Sequence, residues 1–455
     1  MRELLIKLLQ TLHQAVSQQQ YGESEFILEK MAFQALSMLG MLKYEKDHDL
    51  ASAEKYIGMA ATLDENSWGL YSNLAHIYCQ EGKYEQALIA ISQSVLLANG
   101  EQAEPLFNAG VILSNLKMTQ PAIDSFRQAK NAPNAPPSAS YNLATSLLLD
   151  GQYEEGWQEF ENRFVLNEIK QVTDRFTQPF WKGEDFKNKT LFVFNEQGLG
   201  DLIQFSRYLP LVKERGGKVV LEVQPELIDL LIHNKHLGFD ELVPRHTLTY
   251  QPEADYVCSI LSLPAIFPNA EISGTSYYRV DGLDNPFGNN LILTDCYVYK
   301  VGICWAGSHI HALDASRSCE LKSFERMSNL LHIQLTSLQH NPERIRHWKV
   351  GDVDLRAGSE NVKYEQPEIK SMFDVARYIA HLDLVITVDT AIAHLAGAMG
   401  KPVWVLLPYV NDWRWLENHS DSPWYSTVRL FRQRQRGSWN EVFDEVYGLL
   451  SSGSW

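Results

Sequence analysis

Two apolar runs in this chain each break into a loop of reactive side chains and then into a helical pattern. Thr190-Leu191-Phe192-Val193-Phe194 leads into Glu196-Gln197-Gly198-Leu199-Gly200-Asp201. Leu384-Val385-Ile386-Thr387-Val388 leads into Asp389-Thr390-Ala391-Ile392-Ala393-His394. Short continuous apolar runs read as strands buried on both faces, the environment of a parallel sheet covered by helices. Ligands of open α/β sheets collect outside the carboxyl ends of the strands, where such loops lie. The first loop offers two glycines and a carboxylate; the second offers a carboxylate, a hydroxyl and a histidine beside a helix start. That set suits a phosphate-bearing ligand and a general base.

The surrounding sequence repeats the plan. From about residue 188, further strands are expected at 218–223, 255–257, 299–305, 333–338 and 402–407, alternating with helical patterns. The pattern breaks at Asn285-Pro286-Phe287-Gly288-Asn289-Asn290. Two α/β lobes of similar size follow, 188–290 and 291–455. Each is expected to be Rossmann-like around a parallel sheet, with a cleft between them.

The first third has a different period. Ala53, Ala87, Ala122 and Gly156 recur at intervals of 34, 35 and 34, each followed four residues later by Ile57, Ile91, Phe126 or Phe160. Nine residues before each stand Tyr44, Tyr78, Leu113 and Leu147, and glycines fall five before in two units, Gly82 and Gly151. The spacing resembles the tetratricopeptide repeat, two antiparallel helices per unit with small residues where they cross. Residues 1–166 are therefore read as an α-helical solenoid and 167–187 as a linker. Solenoids present a concave face to partners, which makes protein binding the leading use of the array; a spacer or an assembly arm is the alternative.

Composition excludes several classes. The net charge of −16, with no basic stripe to offset it, argues against nucleic acid. The five cysteines, Cys79, Cys258, Cys296, Cys304 and Cys319, form no CxxC pair and fit reduced thiols in a cytoplasmic protein. Glu3 and Lys7 interrupt the first apolar residues, so no signal peptide is expected, and no run of 18 apolar residues predicts a membrane span. There is no GxxxxGK[ST] run, and Gly198-Leu199-Gly200 lacks the third glycine of a dinucleotide fingerprint. His309 and His311 have no carboxylate or cysteine spacing to make a metal site, so no metal is expected.

Gly198-Leu199-Gly200-Asp201 after the first strand, Trp305-Ala306-Gly307, Arg317-Ser318, Ser337-Leu338-Gln339, Asp389-Thr390 with His394, and the closing run 402–415 together resemble the heptosyltransferase-like, family 9 type glycosyltransferases, which have the two-lobed GT-B fold. The resemblance covers roughly residues 188–450. With the repeats ahead of it, the whole chain resembles bacterial repeat-containing glycosyltransferases, some of which modify proteins such as flagellin. The resemblance implies an inverting, metal-independent transfer with a nucleotide sugar as substrate and no cofactor. Donor would bind the C-terminal lobe and acceptor the N-terminal lobe, with Asp201 as the base.

Each residue also has a plainer reading. Asp201 is either the base that takes the acceptor proton or a helix N-cap. Glu196, in the same acceptor-side loop with Gln197, Gly198 and Gly200, is the competing carboxylate. Arg317, helped by Ser318, suits the departing phosphate, or forms a loop ion pair with Asp314 or Glu320. Thr390 lies where a helix start offers free N–H groups; Asp389 orients Thr390 or His394, or accepts a sugar or ribose hydroxyl. His394 donates to a phosphate or packs. Small residues around Gly307 permit close approach of a ligand, whereas Trp305 suits core. Ser337 and Gln339 are placed to meet the nucleotide base and Arg414 to contact the donor. The run Arg429, Arg432, Arg434, Arg436 is a solvated face or an anion site. Three functions compete: transfer to a protein acceptor chosen by the repeats, transfer to a lipid-linked or lipopolysaccharide acceptor, and a repeat scaffold with an inactive transferase lobe. Self-association into a homo-oligomer is a further expectation for the chain.

Overall fold

The computed structural model describes residues 21–99, 102–245, 250–270, 274–280, 298–308, 314–339, 349–350, 353–354, 364–365 and 367–453. The chain divides into two units, Met1–Asp150 and Gly151–Trp455. In the first unit the repeat spacing folds into antiparallel helix pairs. α1 (Tyr21–Glu45) packs on α2 (Leu50–Leu63), α3 (Trp68–Gln80) on α4 (Tyr84–Leu97), and α5 (Ala103–Asn115) on α6 (Thr119–Asn131), with α7 (Ser138–Leu149) against α6. Ala53, Ala87 and Ala122 are wholly buried at the crossings, and Ile57, Ile91 and Phe126 fill the space between helices. The turn five residues before each small residue is left-handed whatever its side chain: φ is +51° at His48, +75° at Gly82 and +59° at Lys117. Glycine adopts that backbone without strain, so the turn glycine missing from two units reflects tolerated strain and not a different turn.

The second unit holds two wholly parallel sheets. The first contains β1 (Thr190–Phe194), β2 (Lys218–Val223), β3 (Glu241–Pro244) and β4 (Tyr256–Ser259) in the order β3-β2-β1-β4. The second contains β5 (Tyr299–Cys304), β6 (Ile333–Ser337), β7 (Tyr364–Glu365), β8 (Leu384–Val388), β9 (Val403–Leu407) and β10 (Val428–Arg432) in the order β10-β9-β8-β5-β6-β7. In each sheet the chain builds outward in one direction, then returns to the first strand and builds the other way. The reversal falls between β1 and β4 in one sheet and between β5 and β8 in the other. Such switch points open the crevice in which α/β sheets hold ligands. The loops after β1, β5 and β8 carry most of the residues singled out from the sequence.

Two readings of the boundaries change. The segment 167–187 is not a linker. It forms a short helix, α9 (Asn167–Thr173), and then pairs Phe180 in parallel with Val257 beside β4. Arg175 makes a buried two-pronged ion pair with Glu222 of β2, at 2.8 and 2.6 Å. Trp181 and Phe186 are buried as well. A stretch carrying Phe176, Phe180, Trp181 and Phe186 has too much apolar surface to stay solvated. The last repeat-like helix, α8 (Tyr153–Phe160), likewise belongs to the second unit. Its Trp157 meets Phe205, Trp413 and Trp424 edge-on, with ring centroids 5.3–6.4 Å apart. The break at 285–290, Cys296, His309 and His311 lie outside the described residues.

Candidate active site

The loop after β1 is held from within. Asn195, buried, accepts the Gln197 N–H through Oδ1 (3.2 Å) and donates through Nδ2 to the Gly198 carbonyl (3.0 Å). The Gln197 carbonyl accepts from Gln224 Nε2 (3.0 Å). Glu196 has no solvent-exposed side chain: Oε1 lies 2.9 Å from Arg163 Nη2, and Oε2 accepts from Ser259 Oγ at 2.5 Å. A carboxylate so enclosed is not free to take a substrate proton, which removes Glu196 as the competing base.

Asp201 sits in the first turn of α10 (Leu199–Phe205). Gly198, not Asp201, is the N-cap, and Asp201 Oδ2 reaches back to accept the Gly198 N–H at 2.8 Å. Its Oδ1 pairs with Arg414 Nη2. Both oxygens of Asp201 are engaged, as are those of Glu196, but the Asp201 side chain keeps 14% of its exposure where that of Glu196 has none. Burial pushes the Asp201 carboxyl above the ordinary carboxylate range, against the opposing pull of Arg414 and the Gly198 N–H. Gly200 lets α10 approach α12 (Ala391–Ala398): a Cβ there would lie 2.9 Å from His394 Cδ2.

The loops of the second sheet are more divided. Trp305 is core, 3% exposed. The Gln339 amide clamps Ala306 in both directions, accepting its N–H at 3.1 Å and donating to its carbonyl at 3.0 Å. Ser337 Oγ, fully buried, accepts the Gln339 N–H at 3.2 Å. Ser318 Oγ donates to Asp314 (2.8 Å) and accepts the Gly307 N–H (3.3 Å). Trp305, Ser318, Ser337 and Gln339 thus turn inward and do not line a donor surface. Backbone groups at a buried strand end need partners, and these side chains supply them.

Arg317 and Asp389 are less fully satisfied by the protein. The Arg317 guanidinium lies against Gly307, where a Cβ would come within 2.4 Å of Nη2. Its Nε is 3.8 Å from Asp314 Oδ1 and has no hydrogen-bond partner among the described residues. Burial pushes the Asp389 carboxyl up to about 6; Asp412 adds to the shift, while Trp415, Arg317 and Arg414 oppose it. Thr390 is the N-cap of α12, its Oγ1 accepting the Ile392 N–H at 3.2 Å. His394 packs: it is 4% exposed, stacks on Trp415 and bonds the Tyr425 hydroxyl through Nδ1 at 3.0 Å. Burial, then Arg414 and Arg207, hold its pKa well below the ordinary value, so the ring is neutral.

Arg414 joins the two sheets. From the turn after β9 it donates to Gln204 Oε1 (2.9 Å) and Asp412 Oδ1 (2.8 Å), and it reaches Asp201. Burial opposes its charge, but Asp412 and Asp201 outweigh that and keep it protonated. Asp201 and Asp412 therefore share one buried arginine, which is spent on the protein and not held ready for a donor.

Sequence reasoning missed Arg163, Gln204, Ser259 and Tyr425, whose partners lie far along the chain, and Asn195 and Asp412, whose near partners Gln197, Gly198 and Arg414 no motif marks. One missed signal was periodic. Asn73, Asn108 and Asn142 stand 14 residues before Ala87, Ala122 and Gly156, on the first helix of each pair. The arginine run is no anion site: Arg432 donates to Asn411 Oδ1 and the Trp415 carbonyl, each at 2.6 Å, and Arg429 and Arg434 face Glu445 and Glu441. Among the described residues no group of three or more His, Cys, Asp or Glu is arranged to hold a metal. No described helix is long and apolar enough to cross a membrane.

Residues 370–417 match the model of glycosyltransferase family 9 (heptosyltransferase), a stretch that includes Asp389, Thr390, His394 and Arg414. Protein FlbA of Caulobacter vibrioides is 25% identical over 419 residues, covering 84% of this chain and 66% of FlbA, so the chain spans just under two thirds of that relative. Among solved structures, an O-GlcNAc transferase mutant from Thermobaculum terrenum aligns over 93% of this chain and 90% of its own at 13% identity, with a TM-score of 0.33. The MamA protein aligns over 32% of this chain and 76% of its own at 19% identity, with a TM-score of 0.28. The chain is a tetratricopeptide-type helical array followed by an α/β domain similar to glycosyltransferase family 9.

Proposed function

We propose that this chain is an inverting glycosyltransferase that moves a sugar from a nucleotide sugar to a hydroxyl of a protein acceptor in the cytoplasm, without a metal. One observation carries the reading: the helices that follow the two switch-point loops meet at Gly200 and His394, and Arg414, from the turn after β9, pairs with Asp201 beside them. In the reaction the acceptor oxygen attacks the anomeric carbon, its proton passes to the Asp201 carboxylate, and the bond to the nucleotide phosphate breaks. Asp201, its pKa raised by burial, is a stronger base than an exposed carboxylate. Arg317, with the Ala391 amide that opens α12, receives the charge that builds on the leaving phosphate. Asp389 accepts a hydroxyl of the sugar or ribose. Arg414 keeps Asp201 ionised and aimed.

The repeats select the acceptor, a flagellin-like protein in the form suggested by the resemblance. A stacked helical array offers an extended surface, which suits a protein segment better than a single sugar. The recurring asparagines add nothing to this, since Asn108 is buried against Ser72 and Asn142 donates to the Ser138 carbonyl. The test is Asp201→Asn in the full chain. Turnover should fall on the order of 10²–10⁴-fold, with nucleotide-sugar binding retained by calorimetry. In the wild type the rate should climb with pH through an acid limb lying above the ordinary carboxylate range. Near-native turnover in the variant would exclude Asp201 as the base.

A further inference from the structure

Arg163 precedes the first strand of the fold and lies outside both switch points, yet its side chain is wholly removed from solvent. Its guanidinium is saturated. Nε donates to Glu196 Oε1 (2.9 Å), Nη1 to the Phe160 carbonyl (3.2 Å) and Glu161 Oε1 (2.7 Å), and Nη2 to Ser259 Oγ and Ser262 Oγ (3.0 Å each). Its flat faces lie over the rings of Phe160 and Phe164, at 4.7 and 4.2 Å. A buried ion pair is a weak source of stability, because desolvating both charges offsets most of their attraction. Its strength is direction: the planar fork fixes a carboxylate in one orientation.

What it orients is the loop of the candidate base. Glu196 lies two residues beyond β1 and five before Asp201. Ser259, which holds the other oxygen of Glu196, ends β4, the strand across the switch point. Arg163 thus ties the segment after α8, the loop after β1 and the end of β4 together behind Asp201. At the other end of the same loop the Gly198 N–H grips Asp201 Oδ2.

We propose that Arg163 is a positioning residue for the transfer reaction, fixing through Glu196 the loop that presents Asp201 to the acceptor hydroxyl. The proposal rests on the reading of Asp201 as the base. Misplacing a reacting group by about 1 Å costs on the order of 100-fold in rate, so the loop need shift only slightly for the effect to be large.

Three variants of the full chain test it: Arg163→Lys, the pair Arg163→Met with Glu196→Gln, and Asp201→Asn. The pair removes both buried charges, so it avoids the unfolding that a lone charge would cause; Arg163→Lys keeps a charge and loses the fork. Two readouts are used. The first is hydrogen exchange in peptides spanning 195–202, where the Gly198 amide reports the grip on Asp201. The second is nucleotide release from UDP-, GDP-, ADP-, dTDP- and CMP-linked sugars with water as acceptor. In the pair, Gly198 exchange should quicken about tenfold while the amides of β2 keep their protection. kcat should fall about 10–100-fold at unchanged donor KM, with Arg163→Lys between the pair and the wild type. A merely structural role would loosen β2 in step with Gly198 and would not separate kcat from KM. Native Gly198 exchange in the folded pair or in Arg163→Lys overturns the proposal, whichever sugar is turned over. Wild-type nucleotide release by Asp201→Asn overturns the base reading instead, and the exchange measurement then still decides whether Arg163 holds the loop.

Discussion

The loops after β1 and β8 start from the same plan, a buried strand running into a polar turn and a helix, and they end differently. After β1 each carboxylate has its opposite charge within the protein, Glu196 with Arg163 and Asp201 with Arg414. Around β8 the charges do not balance. Asp389 is pushed up to about 6, and Arg317 Nε has no hydrogen bond among the described residues, its nearest carboxylate being Asp314 at 3.8 Å. The first loop is completed by the fold. In the proposed reading the second is completed by the donor, whose phosphates would meet Arg317 and whose hydroxyls would meet Asp389. Residue type alone does not distinguish the two loops; the state of their hydrogen bonding does.

The contrast can be broken most directly at Glu196. Glu196→Ala would leave the buried Arg163 charge opposed only by the partly exposed Glu161, and loss of one partner of a buried pair costs up to about 3–5 kcal/mol. Urea unfolding should show that loss; a change below about 1 kcal/mol would mean the loop is not held by this pair. Arg317→Ala should do the reverse, leaving the fold intact and weakening nucleotide-sugar binding by about 1.5–3 kcal/mol, the worth of hydrogen bonds to a charged group. Calorimetric titration with the nucleotide sugars named above reads it, and unchanged affinity would place the phosphates elsewhere.

The smallest effect belongs to Asp389→Asn, which should stabilise the protein. An ordinary aspartate titrates near ~3.9, whereas Asp389 in the fold titrates at about 6. Between those values the folded state holds a proton that the unfolded chain has released, so stability falls as pH rises through the window. The burden is complete above pH 6. Removing the charge should gain on the order of 1–2 kcal/mol at pH 7.5, shrinking as pH falls and absent near pH 4. Thermal melts across that range check it; a gain independent of pH would sink the argument.

Strands buried on both faces were legible because their apolar runs are continuous, as at Thr190–Phe194 and Leu384–Val388. β3 and β10 were not. β3 is half-exposed at a sheet edge, and in β10 Arg429 and Arg432 interrupt the apolar run. Residues 167–187 were misread because they lack any period, although their aromatics bury like a core. At the candidate site, the types and spacing of the loop residues were visible. Their pairing was not: Asp201 and Arg414 are 213 residues apart, and no local pattern tells which arginine a carboxylate will face. The same blindness made inward-turned Ser337 and Gln339 look like ligand contacts, since a side chain that satisfies a strand end has the same composition as one that greets a substrate.

The placement of α8 and Arg163 within the second unit also sets where this chain can be recombined. A crossover at the left-handed turn of Gly151 (φ +81°) exchanges the upstream helices as a cassette and leaves every contact of Arg163 within the retained piece. A crossover in 167–187, the place suggested by the sequence, discards Arg163 and, when it falls after Arg175, splits the pair Arg175–Glu222. Whole units of 34 or 35 residues can therefore be gained or lost ahead of Gly151 without altering the chemistry behind it. In the proposed reading, an array built this way can change its length and its acceptor while the catalyst it serves stays the same.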